Sequence, residues 1–550
     1  MASPPTVSER KALGAFYTDD ALVRVLVEWG LRRPGRAVMD PSCGDGRFLA
    51  LAGKLGATRL VGCDISPGAA EATRLNLAGG ACAVEVVTSD FFALEPGTME
   101  PVDVVVGNPP FIRYQRFGGE SRRRALRSAL RIGVRLSQLT SSWAPFLIHA
   151  VQFLRPGGDM AMVVPAEILQ TNYGLATLRA LLRRFASVSL YAFEENLFAD
   201  AQEDTCLLLA ENHGGTCDQV WLVPLASAAD LAGGFTNGPT GSQEVFPLAE
   251  ANLVHFAEAF LRPAERRAWR RARRHPAVRS LASLASVTNG YVSGDNDFFH
   301  RRLDDAMAAG YPLTWLFPVA RSARSLQGLS FTREDIGAQE EKGVAHHLLV
   351  PQHDLFASDP ARLADFVREG ERRGTPHRYK CRVRDPWWRV PGLVRGDVLV
   401  GYMAGTRPKA AVNRVGGFFS NSLHGLKMND AVPADLLVLG LHSSLALLSL
   451  EMEGRSYGGG ILKVEPRELD RVLVPYPDVS ASKLREWTSR VDPVLREGRY
   501  DDAVSEVDRL VLELGMGLSR TTIEQIRTAR RRLVERRTNR STKRRHGSRR

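Results

Sequence analysis

Three acidic residues and one proline-locked asparagine stand out in the first 111 residues. The run Asp40-Pro41-Ser42-Cys43-Gly44-Asp45-Gly46 closes a short apolar segment, Arg36 to Met39. Two glycines with small Ser and Cys let a backbone turn pass close to a ligand. Its carboxylates argue against phosphate, which takes bare N–H groups and positive charge. They suit a ligand with a cationic or amino-acid end. A second apolar segment, Arg59 to Cys63, ends at Asp64. An acidic residue about 20 positions after a glycine turn is placed to hydrogen-bond ribose hydroxyls. A third segment ends at Asp90-Phe91, where a carboxylate suits an adenine amino group and the ring its face. Any one of these alone reads as an ordinary strand-end turn. Three acidic strand ends in succession behind a glycine turn point to a nucleoside-bearing ligand.

A fourth segment, Val102 to Val106, leads into Gly107 and then Asn108-Pro109-Pro110-Phe111. The prolines lock the backbone extended and carry no N–H, so local carbonyls point outward unpaired. A fixed Asn amide oxygen beside a Pro carbonyl makes a double acceptor for an NH2 group. Phe111 offers a ring face to a planar base. As a bare tetrapeptide this is a common loop. Its place at a strand end, behind the nucleoside residues, makes it a signal.

These residues need a frame. Ala21 to Trp29, Phe48 to Leu55 and Pro67 to Leu77 have helical apolar spacing and alternate with the four β-rich runs. That alternation describes an α/β fold with a doubly wound parallel sheet, whose ligands sit at the carboxyl ends of strands. The pattern continues to about residue 215. Trp143 to Leu154 reads as a helix, RPGGD as a turn, Met160 to Val164 as a strand, Leu175 to Phe185 as a helix, and Val188 to Phe193 and Thr205 to Ala210 as strands. Residues 226–250, rich in Ala, Gly, Ser and Thr, read as a linker. From about 280 to 478 short strands with many Gly and Pro suggest a separate mixed, β-rich domain, followed by a helical end. The expected division is 1–250, 251–480, 481–535 and a basic disordered tail at 536–550.

Residues 14–111, from GAFYT through DPSCGDG to NPPF, resemble the S-adenosylmethionine-dependent DNA methyltransferases that modify exocyclic amines. The motif order resembles the gamma class, the TaqI-like N6-adenine enzymes of type II restriction–modification systems. The resemblance implies a Rossmann-like class I methyltransferase sheet and a C-terminal target-recognition domain. It implies that Phe16, Tyr17 and Thr18 close over the methionine end of the cofactor. Asp40, Pro41, Cys43, Gly44 and Gly46 would hold its amino-acid part, Asp64 its ribose, and Asp90 with Phe91 its adenine, with Ile65 also a cofactor contact. Asn108 and Pro109, with Pro110, would take the target amine, and Phe111 would stack on the base. The segment ENLFADAQEDTCLLL, 195–209, is similar to the one whose phenylalanine covers the opposite face, here Phe198 with one residue of latitude. VTNGYVSGDNDFF, 287–299, and YGGGILKVEPRELDRVLVPYP, 457–477, resemble recognition-domain segments. Phe111 departs from the more frequent Tyr, but stacking needs only the ring.

The reaction so implied is transfer to adenine N6 in a specific duplex site, with the base flipped out of the helix. Rivals are N4 of cytosine, an amine in RNA or a protein glutamine, and a non-catalytic specificity subunit that keeps the fold. The expected partners are double-stranded DNA and a separate cognate restriction endonuclease. We expect a monomer in a bacterial cytoplasm, with no membrane association.

Charge sharpens the DNA reading only when located. The net charge is +12, and residues 527–550 hold twelve basic residues against one Glu. The other 526 residues carry 61 basic and 60 acidic groups, so +11 sits in the terminal 24. Such a tail would contact phosphates without reading sequence. Residues 113–135 hold eight Arg and one Glu directly after NPPF, with Arg113, Arg116, Arg122, Arg123 and Arg124 foremost as DNA contacts. Residues 262–279 carry eight Arg against one Glu. Residues 372–389 carry seven basic groups with Trp387 and Trp388, a pair more typical of a core. The six cysteines are scattered without a C-x-x-C pair, which indicates neither a disulfide framework nor a zinc site. Asp335, Glu340 and Lys342 only loosely match a nuclease pattern, and His346-His347 lacks a partner at ligand spacing, so no metal is expected. No apolar run approaches the roughly 20 residues that span a bilayer, and MASPPTVSERK has no apolar core of a signal peptide.

Overall fold

Strand β1, Ala37–Asp40, is buried at all four positions, as a strand is when both faces of its sheet are covered. The computed structural model describes residues 18–169, 171–193, 205–225, 227–231, 244–247, 256–351, 359–429, 432–457 and 460–547. Around β1 lie the parallel strands β2 (Arg59–Asp64), β3 (Ala83–Thr88), β4 (Val102–Gly107) and β5 (Leu154–Pro165). The sheet continues through β6 (Phe185–Phe193), β7 (Thr205–His213), β8 (Gln219–Leu225) and β9 (Glu244–Pro247). Its order is β3-β2-β1-β4-β5-β7-β6-β8-β9, with β7 antiparallel to β5 and β6. The direction of winding reverses between β1 and β4, so the crevice for a ligand opens there.

Helices cover both faces. The described ones are α1 (Asp20–Gly30), α2 (Arg47–Lys54), α3 (Pro67–Leu77), α4 (Gly119–Arg131), α5 (Trp143–Val151) and α6 (Asn172–Leu182). Val38, Val104, Val106, Ala161 and Val163 share one core with Leu22 and Leu26 of α1 and Phe48 and Leu49 of α2. Met39, Val105, Met160 and Met162 are equally buried and, by the two-residue period of a strand, point the other way. There α5, buried at every position, packs on β5. The helix starts follow local chemistry: Asp19, Ser66 and Thr171 accept from the first-turn amides of α1, α3 and α6.

Two expectations for this unit change. RPGGD is no turn between elements but lies inside β5, where three extra residues are absorbed between the pairs Val102–Leu154 and Val104–Asp159. Gly157 supplies the positive φ, +79°, that this irregularity requires. Part of the expected linker is also strand, because β9 pairs antiparallel with β8.

The chain divides into two units, Met1–Phe260 with Lys543–Arg550, and Leu261–Thr542. In the second, a five-stranded sheet runs Ala285–Asn289, Leu423–Met428, Val398–Gly401, Ala410–Asn413 and Ser330–Phe331, antiparallel except for its last pair. A four-stranded sheet and an aromatic core accompany it. Trp387 and Trp388 belong to that core, with Trp387 stacked on Phe366 at 6.4 Å and 9°. Asp335 caps the helix Arg333–Glu340 and pairs with Arg496 at 2.6 Å, while Glu340 binds His347 at 2.8 Å. His346 bridges the Val319 carbonyl and Gln339. These groups are structural. No helix among the described residues is long and apolar enough to cross a membrane.

The terminal segment departs from expectation. A single helix runs Arg520–Gly547, straight through the boundary set at 536, so residues 536–547 are not a disordered tail. Its arginines are not all offered to phosphate. Arg527 holds the buried Asp508 at 2.6 Å, Arg532 the buried Glu265 at 3.1 Å, and Arg537 holds Glu451 at 2.7 Å. Arg537 is only 5% exposed and also donates to the Gly405 and Gly460 carbonyls. Breaking a buried pair from one side strands the other charge. Glu451→Gln should therefore lower the unfolding free energy of the second unit by about 3–5 kcal/mol in urea melts. A loss below about 1 kcal/mol, the value of a surface pair, would remove the helix's structural role.

Candidate active site

The turn after β1 is fastened from several sides. Gly46 adopts φ +78° and starts α2, and a Cβ there would lie 2.9 Å from Thr73 Cγ2. The Thr73 hydroxyl donates to the Gly44 carbonyl at 3.0 Å, and the Cys43 amide to the Cys63 carbonyl at 2.9 Å. Asp64 accepts the Gly44 amide at 2.9 Å and the Ser66 amide at 2.9 Å. It therefore joins the glycine turn to the end of β2 and remains half-buried, with lone pairs left for hydroxyls. Pro41 and Cys43 are buried beneath the turn, whereas Ile65 is 62% exposed above β2. Gly44, at φ +55°, has open space where a Cβ would stand.

Asp40 lies under this turn, 1% exposed, and accepts the Ser42 amide at 3.0 Å. Burial, reinforced by Asp64 and Asp45, pushes its carboxyl up to about 8. It sits against the end of β4: a Cβ on Gly107 would be 2.6 Å from Asp40 Oδ1. Asn108 follows immediately. Its backbone carbonyl accepts from Ser42 Oγ at 3.1 Å, and its side-chain Nδ2 donates to Thr18 Oγ1 at 3.2 Å. The Thr18 carbonyl in turn accepts from Arg47 at 2.6 Å. Thr18, Asp40, Ser42, Gly44, Asp64 and Asn108 thus form one hydrogen-bonded edge along the strand ends.

The β3 end is held by a residue that sequence reasoning missed. Asp90 caps a short turn by accepting the Phe92 amide at 3.1 Å. His149 of α5 donates from Nε2 to the carbonyls of Phe91 and Leu94 at 3.0 and 3.1 Å, and Ser128 Oγ donates to its Nδ1 at 2.7 Å. Burial lowers its pKa, which keeps this tautomer neutral. Phe91 is 4% exposed, packed at 4.7 Å on Phe146 and 4.6 Å on His149, so the ring belongs to an aromatic core under the turn. Asp90 is the group left at the rim, half-buried. Phe111 is half-buried against the core that holds α1 and β4. No local signal marks His149, because the carbonyls it holds lie more than 50 residues away.

The other expected residues divide. Phe16, Tyr17 and Phe198 lie outside the described residues. Arg113 and Arg116 are exposed in the loop after Phe111. Arg122 turns inward, donating to the Phe117 carbonyl at 3.2 Å, and Arg123 and Arg124 of α4 both engage Glu120. In the helix Pro263–Arg273, Arg266 and Glu265 are buried and Arg267 and Arg271 are exposed. Among the described residues no group of three His, Cys, Asp or Glu is placed to hold a metal ion.

Fold and edge together define a class I S-adenosylmethionine-dependent methyltransferase. The site fits that cofactor: carboxylates rather than cations line it, and the backbone is open over Gly44. Residues 6–250 match the family described as N-6 DNA Methylase, and residues 254–512 the C-terminal domain of the type II methyltransferase M.Eco57I. These two matches and the type II methyltransferase relatives support an N6-adenine DNA methyltransferase of restriction–modification systems. The chain is 24% identical over 472 residues to the type II methyltransferase M.XamI of Xanthomonas campestris pv. amaranthicola, spanning 84% of this chain and 85% of that one. M.TthHB8I of Thermus thermophilus is 32% identical over 201 residues, 35% of this chain and 43% of its own. Among solved structures, the type IIG restriction endonuclease BpuSI aligns over 96% of this chain and 66% of its own, with 16% identity and TM-score 0.43. A DrdV–DNA complex aligns over 88% and 58%, with 12% identity and TM-score 0.47.

Asp40 carries a pH signature. Its folded pKa of about 8 exceeds the ordinary 3.8, so the folded chain holds this proton more tightly than the unfolded one. That contribution to stability is complete below about pH 4 and is lost as the pH rises towards 8. Asp40→Asn removes it. The stability of the variant relative to the parent should rise between pH 5 and pH 8, by up to about 1.4 kcal/mol per pH unit. Urea melts of both proteins at pH 5, 6.5 and 8 measure the difference, and a pH-independent difference contradicts the assignment.

Proposed function

We propose that the Asn108–Phe111 loop is the acceptor of the adenine amine, and that the chain is a gamma-class modification enzyme paired with a separate endonuclease. The observation that carries the reading is the Ser42–Asn108 bond of 3.1 Å, which fastens the amine-accepting loop to the glycine turn. An adenine amine is a poor nucleophile because its lone pair is delocalised into the ring. Asn108 Oδ1 and the Pro109 carbonyl accept its two N–H bonds and favour a more tetrahedral, more nucleophilic nitrogen. S-adenosylmethionine supplies a sulfonium methyl already activated for transfer. The protein's work is therefore orientation and polarisation, without a covalent enzyme intermediate.

Asp64 takes the ribose hydroxyls, Ile65 and Asp90 border the adenine, and the turn from Asp40 to Gly46 receives the amino-acid end. Phe16, Tyr17 and Thr18 close over it. The target base cannot be reached inside a duplex, so it is flipped out and stacked between Phe111 and Phe198. Each base–aromatic contact contributes about 1–3 kcal/mol. Exposed Arg113 and Arg116 beside this loop contact the DNA backbone, and the unit Leu261–Thr542 reads the sequence. We place the enzyme, as a monomer, in the bacterial cytoplasm with the host DNA it protects.

Asn108→Ala should retain S-adenosylmethionine binding by calorimetry and lose methyl transfer by at least about 100-fold, the scale on which one preorganised polar contact acts. Long-read sequencing of DNA from a host expressing the parent chain should show N6-methyladenine at one motif. Undiminished transfer by Asn108→Ala overturns the loop assignment.

A further inference from the structure

The loop that takes the amine has three consecutive carbonyls, on Asn108, Pro109 and Pro110, and two of them are already occupied. Ser42 Oγ donates to the Asn108 carbonyl at 3.1 Å. Ser142 Oγ donates to the Pro110 carbonyl. Among the described residues no group donates to the carbonyl of Pro109, although Pro109 is buried. A carbonyl that no protein group pairs is open to a ligand that brings a donor.

Both serines are themselves held in place. The Ser42 amide donates to the buried Asp40 carboxyl at 3.0 Å. Ser142 is 1% exposed at the start of α5. Its amide donates to the Ile112 carbonyl at 3.0 Å, and its Oγ accepts the Ile112 amide at 2.9 Å. The single hydroxyl proton of Ser142 is thereby directed at Pro110, since the same oxygen already accepts from Ile112. The loop is gripped on both sides of Pro109, by the β1 turn before it and by α5 after it. The two prolines cannot make backbone N–H bonds that would otherwise fix their peptide planes.

We propose that Ser42 and Ser142 are positioning residues that occupy the flanking carbonyls and leave Pro109 as the one backbone acceptor for the target amine. The inference rests on the loop assignment made above. It adds that acceptor geometry is set by two hydroxyls whose protons go to loop carbonyls, Ser42 to Asn108 and Ser142 to Pro110. Without either serine, its carbonyl becomes a competing acceptor and the peptide plane of Pro109 gains freedom. Misplacement on the ångström scale costs up to about 100-fold in rate.

The test uses the full chain and duplex DNA carrying the methylated motif. Ser42→Ala and Ser142→Ala should each lower kcat by about 10- to 100-fold. S-adenosylmethionine affinity, DNA KM and the melting temperature should stay close to the parent values. Ser42→Thr, which keeps the hydroxyl at a half-buried position, should restore most of the rate. Placing 2-aminopurine at the target position should show undiminished base flipping in the alanine variants. The clamp is overturned if both alanine variants keep kcat within twofold. It is equally overturned if kcat falls only in step with cofactor affinity and melting temperature, because a purely structural role would do that. Should Ser142→Ala fail to fold, the Ser42 pair decides alone. The parent enzyme and Asn108→Ala run alongside. An inactive parent or an active Asn108→Ala speaks against the loop assignment, whereas an active parent, dead Asn108→Ala and unaffected serine variants speak only against the clamp.

Discussion

The end of β1 and the end of β4 are pressed together with no room for a side chain between them. Val38 and Met39 pair with Val104 and Val105, so the two strands leave the sheet side by side. At that exit Gly107 turns at φ +148° against the Asp40 carboxyl group, and a Cβ would come within 2.6 Å of its Oδ1. Glycine is therefore required there for space as well as for φ. The close approach lets the Asn108 carbonyl meet the Ser42 hydroxyl. One steric constraint thus converts two separate strand-end loops into a single edge.

Much of this edge was legible in the sequence, because it is local. Each acidic residue ends an apolar run, and the glycine and proline positions declare their backbone roles. What escaped was whatever depended on distant pairing. Ser142 and His149 carry no mark of function in their own neighbourhood, since they act on carbonyls 30 to 58 residues earlier. The insertion in β5 reads as a turn because Pro and Gly punctuate loops and strand irregularities alike, and only the pairing with β4 distinguishes them. Phe91 was legible as an aromatic at a strand end, but its burial against Phe146 and His149 was not.

Charge shows the same limit more sharply. A run of arginines has one composition whether its partners are phosphates or carboxylates. In the helix Arg520–Gly547 the partners of Arg527, Arg532 and Arg537 are Asp508, Glu265 and Glu451, separated from them by 19, 267 and 86 residues. Those acids balance part of the terminal excess inside the fold. The exposed groups beside the Asn108–Phe111 loop, Arg113 and Arg116, are fewer than the run suggested, since Arg122 turns back on the Phe117 carbonyl. Electrostatic attraction of DNA therefore rests on placement rather than on the net charge of +12.

Helix α5 has a larger part in this arrangement than its apolar sequence suggests. Ser142, at its start, fixes the exit of the Asn108–Phe111 loop, and His149 fixes the turn that follows Asp90. Seven residues are nearly two helical turns, which puts both side chains on one face with about 10 Å of rise between them. The helix is buried at every position and packs on β5, so that spacing cannot drift. A methyl transfer requires donor and acceptor to be held at a fixed separation, and loops alone would not hold it. Here one rigid element grips both rims of the crevice, the β3 end on one side of β1 and the β4 end on the other. The hydrophobic burial of α5 is thus what sets the distance between the turn after Asp90 and the Asn108–Phe111 loop.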